Sequence, residues 1–221
     1  MTLIVTLLGG ESTGKSSLAR SLQQHLSRNT SLRTICVPEN LRLWCTLAGR
    51  APQAHEQAAL AAEQHQLIVA AIQAQPAPDM VIADTTPLVI AAYSELYFND
   101  SSLLAGAIAH QRGYHLNLLM GLDLPWVPDG LFRDSPVVRD AIDAILRRVL
   151  QAANLPFQTI YGRGDVRLHQ ALTALNPLLD HSLFDLDQNQ TFGRVPWNCE
   201  TCSDPACEHQ IFTALLQKPS S

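Results

Sequence analysis

Residues 3–8 form a continuous run, apolar but for Thr6, that stops at a Gly pair. The run is too short for a helix, and its lack of polar alternation suits a strand buried on both faces of a parallel sheet. Leu18, Leu22 and Leu26 then fall four apart within residues 14–28, the spacing of one helix face. A second strand is predicted at 33–37, ending at Pro38, followed by an Ala- and Gln-rich helix over 41–74 whose breakers are Gly49 and Pro52. A third strand over 80–83 closes on Asp84; helical pattern covers 87–97 and 102–112, and a fourth strand is predicted at 115–122. Residues 137–152 read as a helix, 157–161 as a fifth strand, and 165–179 as a helix with Asp165 as N-cap. Strands alternating with helices predict an α/β fold, a five-stranded parallel sheet flanked by helices. No internal repeat is visible.

Two segments break this texture. Residues 123–135, DLPWVPDGLFRDS, are rich in Pro, Gly and Asp, and a loop of that length inside a domain reads as a lid or binding loop. Beyond residue 180 the periodicity is lost. The expected organisation is one domain over 1–180 and a Cys-rich tail over 181–221.

Composition narrows the class. In 221 residues, 47% are hydrophobic and 16% charged, against about 25% charged in an average domain, which excludes a disordered chain. A formal charge of −5, spread along the sequence, excludes the basic footprint of a nucleic-acid binder. No apolar run reaches the roughly 20 residues needed to span a bilayer, so no membrane partner is expected. The N-terminus lacks a charged region and a small-residue cleavage site, and five Cys do not read as a secreted disulfide framework. The expected localisation is cytoplasmic. Oligomeric state is not readable from the sequence.

The strongest chemical signal is Gly9-Gly10-Glu11-Ser12-Thr13-Gly14-Lys15-Ser16, which fits G-x-x-x-x-G-K-[ST] between a predicted strand and a predicted helix. Gly9 and Gly14 let the backbone curl so that successive N–H groups face one anion at a helix N-terminus, where the macrodipole adds about half a positive charge. Lys15 is placed to reach the β- and γ-phosphates and the Ser16 hydroxyl to ligate Mg²⁺. Gly10, Glu11, Ser12, Thr13 and Ser17 complete the candidate phosphate-binding stretch. The motif predicts binding of a nucleoside triphosphate.

Ligands collect at the carboxyl ends of strands in open α/β sheets. Glu39 follows the second strand, Asp84 the third, and the loop carrying Arg133 the fourth. A carboxylate there can accept a proton from an attacking hydroxyl or hold Mg²⁺ through water, and an Arg can neutralise phosphate charge. Blander readings stand beside these: Glu39 as a helix-start acid, Asp84 as an N-cap, Arg133 as a surface Arg. Trp126 reads either as a stacking platform for a base or as an anchor for its loop. Arg163 reads as a neighbour of adenine or as a turn residue.

Together, LLGGESTGKSSLA, VPENLRLW, IADTTPLVIAAYSELYF and DLPWVPDGLFRD, with a weaker match in YGRGDVRLHQAL, resemble the ribosylnicotinamide kinase domain of NadR-type proteins. That branch of the P-loop small-molecule kinases is matched over residues 1 to about 180. The resemblance implies transfer of the ATP γ-phosphate to a hydroxyl of a nucleoside-like substrate, nicotinamide riboside first, and so a place in NAD biosynthesis. It implies that Lys15 and Ser16 serve the ATP phosphates and Mg²⁺, and that Asp84 is the acid at the strand end near Mg²⁺ and substrate. Glu39 with Trp44 is also similar to the deoxynucleoside kinases, in which a Glu before a nearby Trp acts as base. Phe132 is inserted where the family pattern runs DGLRD. The expectation is a kinase domain without the adenylyltransferase domain or helix-turn-helix regulator of full-length NadR proteins.

Cys199, Cys202, Cys207 and His209 form C-x2-C-x4-C-x-H, a donor set that suits a structural tetrahedral Zn²⁺. Free thiols or a redox disulfide are the alternatives, and His181 or His169 compete with His209 as fourth ligand. Cys36 and Cys45 read as small apolar core residues. Two rivals stand against the nicotinamide riboside kinase: a kinase of another small alcohol, such as a deoxynucleoside or thiamine, and a nucleotide-driven switch docking a partner through the Cys-rich tail.

Overall fold

The computed structural model describes residues 1–128 and 135–179. Arg133, Cys199, Cys202, Cys207, His209 and His181 lie outside the described residues.

The strands are β1 (Leu3–Leu8), β2 (Thr34–Val37), β3 (Met80–Asp84), β4 (Leu116–Met120) and β5 (Gln158–Ile160). All five pair in parallel in the order β2-β3-β1-β4-β5, as the alternation of strands and helices predicts. The helices are α1 (Lys15–Asn29), α2 (Asn40–Ala48), α3 (Gln57–Ile72), α4 (Pro87–Phe98), α5 (Leu104–Gln111), α6 (Pro136–Ala152) and α7 (Asp165–Leu175).

Strand alternation sorts the side chains onto the two faces of the sheet. Val5, Leu7, Met80, Ile82, Leu118 and Met120 face α1 and α7, meeting Leu18, Leu22, Leu26, Ala171 and Leu175. On the opposite face Leu8 and Leu119 meet Leu88, Ala92, Ala107, Ile142, Leu146 and Leu150 of α4, α5 and α6. The Leu18, Leu22 and Leu26 spacing is therefore the buried stripe of α1.

Two expectations change in detail. The helix expected over 41–74 is broken: α2 ends at Gly49, whose φ of 68° reverses the chain, and a 3₁₀ turn at Ala54–Glu56 precedes α3. Pro52 sits in the gap, where it has no intrahelical hydrogen bond to spoil. The N-cap of α7 is Gly164 rather than Asp165, which lies in the first turn and acts through the helix dipole. α4 and α6 start on Thr86-Pro87 and Ser135-Pro136, each hydroxyl accepting a backbone N–H of the first turn.

Leu22 is fully buried, whereas Leu47 on α2 is 80% exposed. Leu22→Ala is expected to cost about 2–5 kcal/mol and Leu47→Ala less than about 0.5 kcal/mol. Urea midpoints check this, and equal shifts for the two would contradict the core assignment.

Candidate active site

The loop between β1 and α1 lies at the carboxyl end of the central strand. Its curl requires Ser12 at φ 57° and Gly14 at φ 83°, both in the left-handed region. At Gly14 a Cβ would lie 2.9 Å from both Arg167 Nη1 and Leu124 Cδ1, so conformation and space alike demand glycine. At Gly10 the constraint is approach alone, because the α6 backbone at Arg139 would stand 3.2 Å from a Cβ. Thr13 Oγ1 and Lys15 Nζ donate to the Gly10 carbonyl at 2.7 and 3.0 Å. Lys15 is buried at the first position of α1, so its ammonium is held over the loop.

Outside groups hold the loop in place. Arg167 of α7, 4% exposed, donates through Nη1 to the Thr13 carbonyl and through Nη2 to Asp123 Oδ1 at 2.9 Å. Burial pulls its pKa below the ordinary value, and the Asp123 carboxylate opposes that pull. Asp123 Oδ2 also accepts from the Gly162 N–H at 2.7 Å, tying the turns after β4 and β5 together. Glu11 Oε1 accepts from Trp126 Nε1 at 3.0 Å and from the Ser135 N–H at 3.1 Å, and Ser12 Oγ accepts from the Val127 N–H at 2.9 Å. Trp126 thus anchors its loop. Arg139 Nη1 donates to the Leu124 carbonyl at 2.8 Å. Sequence reasoning missed Arg139 and Arg167. Arg167 sits within the YGRGDVRLHQAL stretch, but nothing in linear spacing connects it to Thr13.

The other site candidates divide. Asp84, 4% exposed, ends β3 on the face turned toward α1. Its Oδ1 and the Oγ1 of Thr85 are buried without a hydrogen-bond partner. Thr85 has a φ of 92°, unusual for a β-branched residue. A buried carboxylate oxygen without a partner, on the face of the helix that carries the Ser16 hydroxyl, fits the hard-oxygen chemistry of a hydrated Mg²⁺. Glu39 is half-buried at the N-cap of α2. Gln64, fully buried, accepts from the Asn40 N–H at 2.8 Å and donates to the carbonyls of Pro38 and Thr85, joining the ends of β2 and β3. Arg163 is exposed in the turn after β5. Among the described residues no group of three or more His, Cys, Asp or Glu could hold a metal ion, and the Cys cluster lies outside them.

A cavity of about 630 Å³ opens between the phosphate loop, α2 with its following turn, and α4. Lys15, Ser16 and Arg20 form one wall, Glu39, Arg42 and Cys45 a second, and Tyr93 and Tyr97 a third. The two Tyr rings lie nearly parallel, 6.1 Å apart at 8°. Burial, with the Glu39 and Glu11 carboxylates adding to it, holds the Tyr93 phenol neutral far above its ordinary range. Arg50 closes the rim, its guanidinium 5.0 Å from the Trp44 ring centroid and bidentate to Glu56 at 2.7 Å on each oxygen. Cys45 is buried as expected yet also lines the cavity; Cys36 is partly buried against the core, and burial with the Asp84 charge pushes its thiol up to about 11.

The family model for an AAA domain matches residues 4–167. The chain belongs to that AAA domain family. Among solved structures, this AAA domain chain is similar to a NadR protein in complex with NR, at TM-score 0.66 and 22% identity over 80% of this chain and 51% of that one. It is also similar to a thymidylate kinase from Ehrlichia chaffeensis, at 0.58 and 14% over 79% and 98% of the two chains. A deoxyadenosine kinase from M.mycoides follows at 0.53 and 11%, over 79% and 100%. The chain spans about half the length of the NadR protein it matches. These likenesses show the fold, a P-loop α/β sheet, and agree with the resemblance read from the sequence. No curated protein matches the chain.

Replacing Arg167 by Met leaves the Thr13 carbonyl and Asp123 without their shared donor. The variant is expected to lose about 1–3 kcal/mol of stability and most of its nucleotide affinity. Urea unfolding and titration with a fluorescent ATP analogue check both, and unchanged affinity would mean the loop holds its curl unaided.

Proposed function

We propose that this chain is an ATP-dependent kinase that phosphorylates a hydroxyl of a small nucleoside-like metabolite, with nicotinamide riboside as the first candidate. The observation that carries the proposal is a shared wall. Lys15 and Ser16 belong both to the phosphate loop and to the 630 Å³ cavity, so a molecule held there meets the phosphate site directly. That volume lies in the range of small-molecule pockets, about 300–1,000 Å³. The nearly parallel rings of Tyr93 and Tyr97 suit an aromatic base. A nucleotide-driven switch has no evident use for such a cavity.

In this reading Gly9 to Ser17 hold the triphosphate, with backbone N–H groups around the phosphates and Lys15 at the β- and γ-phosphates. Ser16 and Asp84 would hold Mg²⁺, which when bound neutralises phosphate charge and orients the γ-phosphoryl group. Glu39 lies in the cavity wall and takes the proton of the acceptor hydroxyl as its oxygen bonds to the γ-phosphorus and the bond to ADP breaks. Tyr93 and Tyr97 position the base, the segment 123–135 excludes water, Arg133 serves the γ-phosphate and Arg163 the adenine. The kinase domain is residues 1–180, and 181–221 is a tail with Cys199, Cys202, Cys207 and His209 as a structural zinc site.

ADP release with Mg²⁺-ATP is to be measured against nicotinamide riboside, the common nucleosides and thiamine. Strong stimulation by nicotinamide riboside is the expected result; stimulation by another compound replaces the acceptor and keeps the chemistry. Slow hydrolysis that no acceptor accelerates would sink the kinase reading in favour of the switch. Lys15→Ala is expected to lower turnover by roughly 10²–10³-fold, the scale of removing one preorganised charge-stabilising donor. Glu39→Gln is expected to lower kcat by roughly 10²–10⁴-fold with ATP affinity retained; near-normal kcat in that variant would remove Glu39 as base.

A further inference from the structure

We propose that Gln111, at the end of α5, is a positioning residue for the carboxylate of Asp84, acting through Thr86 on the sheet face away from α1. The inference rests on the kinase reading, in which Asp84 serves Mg²⁺.

Gln111 is fully buried. Its Oε1 accepts from Thr86 Oγ1 at 2.8 Å, while its Nε2 donates to Thr6 Oγ1 at 3.0 Å and to Asn117 Oδ1 at 2.7 Å. Thr6 Oγ1 donates in turn to Asn117 Oδ1 at 3.0 Å, and Asn117 Nδ2 donates to the Pro156 carbonyl at 2.9 Å. Thr6, Thr86 and Asn117 are at most 3% exposed. The amide therefore reaches from α5 to β1, to β4 and to the first turn of α4, and every polar atom it offers is used.

Such a network is costly to bury and tolerates little displacement, because a half-satisfied buried amide is worse than an apolar side chain. What it holds is Thr86, two residues from Asp84. The Thr86 hydroxyl accepts the Leu88 N–H and gives its own proton to Gln111, which fixes its rotamer. Between them Thr85 keeps a φ of 92°. A β-branched residue stays there only when its surroundings over-determine it. On one side Asp84 is registered against Leu7 in the β1–β3 ladder. On the other Thr86 is held by Gln111, and the Thr85 carbonyl accepts from Gln64 Nε2 at 3.4 Å. If the Gln111 bond is lost, Thr85 can relax and swing the Asp84 carboxylate.

The test reads Mg²⁺-dependent binding of a fluorescent ATP analogue beside thermal unfolding. Gln111→Met and Thr86→Ala cut the same bond from its two ends. Each is expected to need roughly tenfold more Mg²⁺ for half-maximal enhancement of binding, the lower end of the usual effect of groups behind metal ligands, with Mg²⁺-free affinity within about twofold of the parent. Gln111→Glu, whose buried carboxyl is kept protonated by its surroundings and so accepts from Thr86 on one oxygen and donates to Asn117 Oδ1 from the other, is expected to restore the Mg²⁺ requirement to within about threefold. Thr6→Val removes the far end of the network; it should lower the unfolding midpoint and leave the Mg²⁺ requirement unchanged. The inference is overturned if both bond-cutting variants keep the parental requirement, or if Thr6→Val shifts it as much as they do. If the unaltered protein binds ATP no better with Mg²⁺ than without, the kinase reading falls and this inference with it. If only one bond-cutting variant folds, that variant alone decides.

Discussion

A loop that must turn consecutive backbone N–H groups toward one anion cannot also bond them in a ladder, and that constraint organises everything around residues 9–16. Regular secondary structure is unavailable there, so the curl has to be held by side chains arriving from elsewhere. Thr13 and Lys15 bind the Gly10 carbonyl from within the loop, while Arg167 takes the Thr13 carbonyl from α7. The order β2-β3-β1-β4-β5 makes this possible, since it sets β1 in the middle and brings the ends of β3 and β4 to either side of the loop. An edge strand would offer neighbours on one side only.

The same side chains couple the loop to the segment after β4. Glu11 binds Trp126 on one side of residues 129–134 and Ser135 on the other, and Ser12 binds Val127. Asp123, at the start of that segment, shares Arg167 with Thr13. A shift of the phosphate loop is therefore felt at both flanks of the segment, and the Glu11, Asp123 and Arg167 bonds each carry charge on at least one partner and so are stronger than the neutral Ser12–Val127 bond. Occupancy of the phosphate loop would thus reach Trp126, Val127 and Ser135 through these bonds.

What the sequence makes legible follows from how local each signal is. The run at 3–8, the three leucines of α1 and the glycine spacing of the loop each report on contiguous residues, and all appear where their pattern puts them. The helix expected over 41–74 went wrong at Gly49 and Pro52, because composition argued for helix on both sides and could not weigh the two breakers against it. Asp165 is the better capping residue by type, yet the turn puts Gly164 at the cap, with φ 51° and ψ −123°, a combination that favours glycine. For Trp126 the choice between stacking and anchoring rests on Glu11, a partner 115 residues away that local sequence does not reveal. Arg139 and Gln111 carry no readable signal, and Arg167 only its place in the YGRGDVRLHQAL stretch, since a lone Arg or Gln on a helix has no spacing to read. Gln111 would be expected at a surface, and its burial makes sense only once Thr6, Thr86 and Asn117 surround it.

The end of β3 brings these lines together. Alternation along the strand turns Asp84 toward α1, where the phosphate loop ends, and leaves the following residues to start α4 on the other face. Within Thr85 and Thr86 the chain must cross from one layer of the sandwich to the other, and it does so with Thr85 in the left-handed region. A glycine would make the same turn without strain but would leave the carboxylate before it free to wander. A threonine there restricts the turn, provided that its neighbours on both faces hold it: the β1 ladder and Gln64 on the approach, Gln111 on the departure. The strain at Thr85 is thus the local cost of presenting one buried carboxylate in one orientation, and the apolar layers on either side supply the rigidity that sustains it.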